Sequence, residues 1–339
     1  MKNPFQTKKI GIDLGTTNTL VYSLGQGIVL SEPTVVAVNR LTKKVEAIGA
    51  DAKEMVGKTP DEVMVIRPMH DGAIANFHLT FAMLKHFIER SIGRWSLFKP
   101  DVLVSVPSGI TSTERRAVIE ATIKAGAKNA FIVKEPILAA LGAGVPINEP
   151  NGHMIIDSGG GTTDVAVISL GGVVASTSVK CAGNKIDQAL REYVRRAYNV
   201  SIGEQSAEEL KKTLCSALSI NPDGTGSVKG RDIVTGLPKT LSLTTNELVK
   251  AIDEELKVII KAVKSVLEST PPELASDIID NGIVMTGGTA LLAHLPDLIA
   301  RESGVKVRCA EEPLLAVAKG AGVLLEHLND YKRSILAKR

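Results

Sequence analysis

The chain has 339 residues, 44% of them apolar and 23% charged, the make-up of a soluble globular protein about twice a typical domain in length. Aromatics are only 3%, so the core must be built from Ile, Val, Leu and Ala, and a formal net charge of +3 gives no argument for a nucleic-acid partner. The three cysteines, Cys181, Cys215 and Cys309, stand far apart without a CxxC pair, which supports neither a disulfide framework nor a zinc site. There is no signal-peptide pattern and no run of about 18 apolar residues, so a cytoplasmic protein is expected, with any membrane contact peripheral.

In chain order, residues 9–38 read as an apolar strand ending in Asp13, then Gly-Thr-Thr, a strand from Thr19 to Leu24, a Gly-Gln-Gly turn and a third strand. Residues 33–69 read as an insertion centred on a short helix near Asp51 to Val56. Within it, Ala52 to Thr59 matches a loosened P-loop pattern. The strand that should precede the motif is missing, so the match is read as coincidence. A strand (Val102 to Val106), a helix (Glu114 to Ala125) and a strand (Phe131 to Val133) then lead to Glu135-Pro136-Ile-Leu-Ala-Ala-Leu-Gly-Ala-Gly.

Residues 153–180 repeat the opening: an apolar strand ending in Asp157, Ser-Gly-Gly-Gly-Thr-Thr-Asp, a strand, a Gly171-Gly172 turn and another strand. Residues 185–242 read as a second insertion, with helices near Ile186–Tyr198 and Ala207–Leu218 and a turn or hairpin tip at Asn221-Pro-Asp-Gly-Thr-Gly. The second unit also recurs, as Gly282 to Met285, a Gly-rich loop, a helix, Val305 to Cys309, and Glu312-Pro313-Leu-Leu-Ala-Val-Ala-Lys-Gly-Ala-Gly. Two repeated units in the same order predict duplicated α/β halves with mixed sheets.

Each copy places an Asp at a strand end, followed by glycines and threonines entering a tight turn. Glycine lets backbone N–H groups approach phosphate oxygens, Thr hydroxyls add donors, and Asp offers the hard oxygen that magnesium needs. One such loop also fits an ordinary turn. Two in equivalent positions favour phosphate hairpins facing each other across a cleft.

On these hairpins the sequence resembles the MreB family of bacterial actin homologues, within the actin, chaperone-ATPase and sugar-kinase superfamily. The match runs nearly end to end, from Gly11-Ile-Asp-Leu-Gly-Thr-Thr-Asn-Thr-Leu to the final helix. Gly27-Ile-Val-Leu-Ser-Glu-Pro, Ala52-Lys-Glu-Met-Val-Gly-Lys-Thr-Pro, Ile66-Arg-Pro-Met-His-Asp-Gly, Met83-Leu-Lys and Leu97-Phe-Lys-Pro separate this family from the wider superfamily. The resemblance implies an actin-like duplicated fold of two large α/β domains, each with a smaller inserted subdomain and with nucleotide in the cleft between. Residues 1–32, 70–148 and 319–339 would form the first large subdomain and 33–69 its insertion. Residues 149–184 and 243–318 would form the second, and 185–242 its insertion.

It further implies ATP and magnesium (Mg2+) as ligands. Asp13 and Asp157 would hold the metal. Gly15, Thr16, Thr17 and Asn18 would sit on the phosphates, as would Gly159, Gly160, Gly161, Thr162 and Thr163. Glu135, with Asp157 and Thr162, would carry ATP hydrolysis; a helix N-terminal carboxylate beside Pro136 is the plainer reading of Glu135. Glu208 and Lys211 match adenosine-contacting positions, although their three-residue spacing also fits a solvated helix face. Gly183, Gly287, Gly288 and Thr289 match nucleotide-side loops.

Five departures from the family pattern bear on the site. Lys134 precedes Glu135 and is expected to lower its basicity; Asp164 replaces Glu, and Ser158 replaces Ile. Asn184 in Cys181-Ala182-Gly183-Asn184 removes a carboxylate, and Thr289 replaces a glycine.

For the membrane, Trp95, Leu97 and Phe98, flanked by Arg94 and Lys99, suit shallow insertion into anionic lipid; a buried loop anchor is the alternative. The six histidines lack metal spacing. The family also implies head-to-tail filaments of the chain with itself on the inner membrane surface, and the wall-elongation proteins MreC, MreD, RodA and RodZ and a transpeptidase as partners. A small-molecule kinase or a plasmid-segregation or division-type actin would use the same cleft. A chaperone ATPase is not expected, because no peptide-binding segment follows the final helix.

Overall fold

The computed structural model describes residues 8–92 and 98–327. The first half opens with the antiparallel meander β1 (Lys9–Leu14), β2 (Asn18–Ser23) and β3 (Gly27–Pro33). A small sheet of β4 (Val36–Asn39), β5 (Val45–Ile48) and β6 (Val63–Ile66), with α1 (Ala50–Glu54), follows as an insertion. The short pair β7 (Met69–His70) and β8 (Ala73–Ile74) leads into α2 (Phe77–Ile92), β9 (Asp101–Val106), α3 (Ser112–Lys124), β10 (Asn129–Lys134) and α4 (Glu135–Gly142). Thr111 and Glu114 form a reciprocal capping box that starts α3.

The second half begins with β11 (His153–Ser158), β12 (Thr163–Ser169) and β13 (Gly172–Val179). Its insertion holds α5 (Gly183–Tyr198), β14 (Val200–Ser201), α6 (Glu204–Leu214), β15 (Thr225–Asp232) and β16 (Pro238–Thr244). After α7 (Thr245–Ala251), α8 (Asp253–Ser269) and α9 (Pro272–Asn281) come β17 (Ile283–Thr286), a 3₁₀ turn at Gly288–Leu291, α10 (Leu295–Ser303), β18 (Val307–Cys309) and α11 (Ala316–Glu326).

The two large sheets run β10-β9-β1-β2-β3 and β18-β17-β11-β12-β13, the same order position by position. In each, the meander is antiparallel and the two added strands are parallel to its first strand. The duplication predicted from sequence is therefore a duplication of topology. The central strand β11 is buried at all six positions, as a strand covered on both faces must be. In α5, Ile186, Leu190 and Val194 recur every four residues and all are buried, which turns that helix's apolar stripe onto the core of its half.

Between the sheets lies a third apolar layer, in which Ile137, Leu138 and Ala139 of α4 pack with Val317, Ala321 and Leu324 of α11. The first of these helices begins at its Glu-Pro segment and the second shortly after Glu312-Pro313, and each carries a glycine where it meets the other. A Cβ on Gly142 would lie 2.9 Å from Gly320 N, and one on Gly320 would lie 2.9 Å from Leu138 Cα. Any side chain there would push the halves apart.

Two boundaries differ from expectation. The second helix of the second insertion ends at Leu214, not Leu218. Ser216 Oγ donates to Leu218 O (2.6 Å) and accepts from Leu218 N (3.2 Å), a local turn that competes with the helix. The Asn221-Pro-Asp-Gly segment is a turn, clamped by Asn246 to both polar groups of Ile220 (2.9 and 3.0 Å), but it is not the hairpin tip. The tip lies at residues 233–237, where Asp232 Oδ1 accepts from Val234 N and Thr235 N at 3.0 Å each. Its turn signal is the single Gly236, at φ 74°, set among Ile233, Val234 and Leu237, which read as strand.

Candidate functional site

The matching strands β1 and β11 bring Asp13 and Asp157 to the same edge of their respective sheets. Each carboxylate is held by a hydroxyl from the next parallel strand. Ser105 Oγ donates to Asp13 Oδ1 (2.9 Å), and Thr286 Oγ1 donates to Asp157 Oδ1 (2.8 Å). Ser105 is on β9 and Thr286 on β17, which occupy equivalent places, so the duplication extends to these partners. Sequence reading missed both; their register beside the two Asp residues, visible once the strands are paired, is the signal that finds them.

After the strand ends the two hairpins meet. A Cβ on Gly161 would lie 2.5 Å from Thr16 Oγ1, and one on Gly160 would overlap the Thr17 hydroxyl. Thr17 Oγ1 donates to Asn184 Oδ1 (3.3 Å), while Asn184 N donates to Gly160 O (2.8 Å). Thr289 Oγ1 donates to Gly159 O (2.7 Å), as does Gly183 N (3.3 Å). The departures at 184 and 289 thus tie the loops together. Ser158 is also absorbed, its hydroxyl 2.7 Å from that of Thr163.

The hairpins line a cleft of about 890 Å³ that also takes in Glu135, Glu208, Lys211, Gly287 and Gly288. Every sequence-derived nucleotide-site position reaches this cleft except Thr163. Thr163 is fully buried and donates to Cys181 O (2.7 Å), because alternate residues of β12 face opposite sides of the sheet. Lys211 does not point freely at a base: it bonds Gly183 O (3.2 Å) and Asp187 Oδ2 (2.9 Å). Glu208 pairs with Lys212 (2.6 Å). Asp187, together with the exposed apolar side chains Leu291 and Leu314 beside the Gly287–Gly288 turn, are cleft residues that the sequence did not single out. The loosened P-loop match fails as expected, since Gly57-Lys58-Thr59 follows α1 and opens no helix.

Three carboxylates, Asp13, Asp157 and Glu135, line the floor, and a fourth, Asp164, is buried beside Asp157. Burial pushes Asp13 up to about 6 against the Ser105 bond that lowers it. Burial likewise pushes Asp157 up to about 7, with Thr286 opposing and Asp13 and Asp164 adding. Glu135 is held well above the usual carboxylate range by burial and then by Asp164, Asp13 and Asp157, and Asp164 is itself raised by burial. Lys134 is not among the main influences on Glu135, which burial and the neighbouring carboxylates dominate, so the expected loss of basicity is replaced by a gain.

None of the ion pairs among the described residues includes these four groups. Buried, uncompensated hard oxygens fit a divalent cation. Among the described residues no three His, Cys, Asp or Glu side chains converge to cage one, so water and phosphate oxygens would complete its shell.

Of the membrane candidates, Trp95 and Leu97 lie outside the described residues, and Phe98 is 44% exposed. Among the described residues no helix is long and apolar enough to cross a membrane.

Duplicated sheets of identical order, closing paired glycine-threonine hairpins and an acidic floor over one cleft, define an actin-like protein. The chain belongs to the MreB/Mbl protein family, whose model matches residues 7–333. It is 46% identical over 322 residues to the cell shape-determining protein Mbl of Bacillus subtilis, covering 95% of this chain and 97% of that one. It is 48% identical over 326 residues to the cell shape-determining protein MreB of Escherichia coli, covering 94% of each. The crystal structure of MreB 5 of Spiroplasma citri bound to AMPPNP superposes with a TM-score of 0.91 at 38% identity, over 97% of this chain and 98% of that one. The family and fold expected from the sequence are both borne out.

Proposed function

We propose that this chain is an ATP-dependent cytoskeletal filament protein, peripheral on the inner face of the cell membrane, that organises cell-wall synthesis and maintains cell shape. The observation that carries this reading is the pair of equivalent hairpins with Asp13 and Asp157 opposed across the cleft. The names of the relatives support the role in shape, and the AMPPNP bound to the Spiroplasma protein supports ATP as the ligand.

Backbone N–H groups and hydroxyls of Gly15 to Asn18 and Gly159 to Thr162 receive the phosphates. Asp13 and Asp157 hold the magnesium, which supplies neutralisation of charge on the phosphate oxygens when bound. Glu135, at the first turn of α4, lines the cleft and in its ionised form takes a proton from the attacking water, which Thr162 orients. Gly183, Lys211 and Glu208 line the adenosine side, and Gly287 to Thr289 pass the base.

The subdomain boundaries given above belong to the same proposal, supported by the small β5-β4-β6 and β14-β15-β16 sheets within the two insertions. Head-to-tail self-association gives open filaments when its rotation does not close a ring. Trp95, Leu97 and Phe98 seat those filaments on lipid, and MreC, MreD, RodA and RodZ are the expected partners through the family. Electron microscopy on an anionic lipid monolayer tests the reading. Filaments that need ATP and magnesium support it; dispersed particles under every condition overturn it in favour of a soluble ATPase or kinase.

A further inference from the structure

One cluster of side chains joins the two insertions across the cleft. Arg67 lies where the chain leaves the first insertion, between β6 and β7, and Glu204 is the first residue of α6 in the second. Arg67 Nη2 donates to Glu204 Oε2 at 3.4 Å, across 137 positions of chain. The other carboxylate oxygen, Oε1, lies 3.9 Å from Nη1 of Arg191 on α5, and Arg191 Nε donates to Ile202 O (3.4 Å). One carboxylate is thus shared by two guanidinium groups, one from each half, and Arg191 holds it toward the opposite lip.

All three residues line the cleft, and the Arg67 and Glu204 side chains are 39% and 56% exposed, which places the pair at the mouth and not on the floor. Among the described residues no other ion pair joins the two insertions. A second set of charges faces across the same gap. Glu208, one turn further along α6, is pushed up by burial but held below its ordinary value by Lys212 and, from α1 in the first insertion, by Lys53.

We infer that the Glu204 carboxylate is a latch on the nucleotide: by pairing with Arg67 it holds the two insertions together over the bound ligand, and its parting from Arg67 accompanies the ligand's departure. The inference rests on the nucleotide-site reading above and adds to it how exchange is controlled. A ligand enclosed between two closing bodies leaves only when they separate, so a bond across the lips slows its release. The pair is exposed and therefore of modest strength, which suits a contact that must break at each exchange.

The test follows release of radiolabelled ADP, chased by excess unlabelled ADP, from the full-length wild type, Glu204→Gln, Arg67→Gln and the double variant. Loss of an exposed pair sets the expected acceleration at about twofold to fivefold in each single variant. The double variant releases ADP no faster than either single one, since the second change finds the bond already lost. Direction separates a latch from simple charge. A nearby carboxylate repels the phosphates and a guanidinium attracts them, so without a latch Glu204→Gln slows release while Arg67→Gln speeds it. Both positions are exposed, so the variants fold, and ADP is the product, so catalysis does not enter the rate.

Release that fails to rise in either single variant, or a double variant that multiplies the two effects, overturns the latch and leaves the nucleotide site standing. A wild type that binds no ADP overturns the nucleotide reading and the latch with it.

Discussion

Replacing Gly320 by Ala tests whether the contact between α4 and α11 holds the halves in register. The new Cβ would lie 2.6 Å from Leu138 C and 2.9 Å from Leu138 Cα, and the reciprocal Cβ on Gly142 would meet Ala316 C at 2.6 Å. These neighbours are backbone atoms and cannot rotate away, so the overpacking falls near the upper end of the usual range, about 3 kcal/mol. The higher helix propensity of Ala returns about 1 kcal/mol, leaving about 2 kcal/mol of destabilisation. At roughly 2.1 cal/mol/K of unfolding entropy per residue, that lowers Tm by about 3 °C for a chain of this length.

Thermal denaturation of the two single variants, their double and the control Gly203→Ala reads this out. Gly203 has open space around it and an ordinary φ of −74°. Both methyl groups enlarge the same gap, so the double variant costs less than the sum of the singles. Glu135 begins the helix that is displaced, so hydrolysis also falls. A Gly320→Ala protein that melts with the control, or strict additivity, refutes the reasoning.

The acidic floor predicts a pH dependence of the nucleotide-free protein. Asp13 (about 6) and Asp157 (about 7) are both raised above an ordinary 3.8, so the stability their protonation contributes is complete below about pH 4 and lost as pH rises through 6 to 7. Tm should fall from pH 5 to pH 8, and Asp157→Asn should flatten the slope; an unchanged slope refutes the assignment. Gly160→Ala drives a methyl into the Thr17 hydroxyl and strains the hairpin spacing by about 1–3 kcal/mol, expected as roughly tenfold weaker ATP binding by titration. Equal affinity would mean that the hairpins do not close on the ligand. For the membrane reading, Leu97→Ser with Phe98→Ser should abolish flotation with anionic vesicles, and retained flotation refutes it.

The amino-acid sequence by itself determined what depends on neighbours along the chain. Apolar runs ending in Asp13 and Asp157, each followed by Gly and Thr, dictate a strand and a tight turn locally, and their repetition dictates two like halves. The wording of the intervening segments was enough to mark the family. Helix ends and the hairpin tip were less legible, because Ser216 and Asp232 set them through bonds that compete with the regular pattern.

Only the tertiary structure decided which way each residue of a hairpin faces and what stands opposite it. Thr163 and Asp164 look alike as a pair of polar residues, yet one fills the core and the other bridges the halves. Ser105 and Thr286 became partners of the two Asp residues through strand pairing across 92 and 129 positions of chain. The raised proton affinity of Glu135 has the same origin. It comes from burial and from carboxylates distant in sequence, and desolvation exists only once the halves have closed.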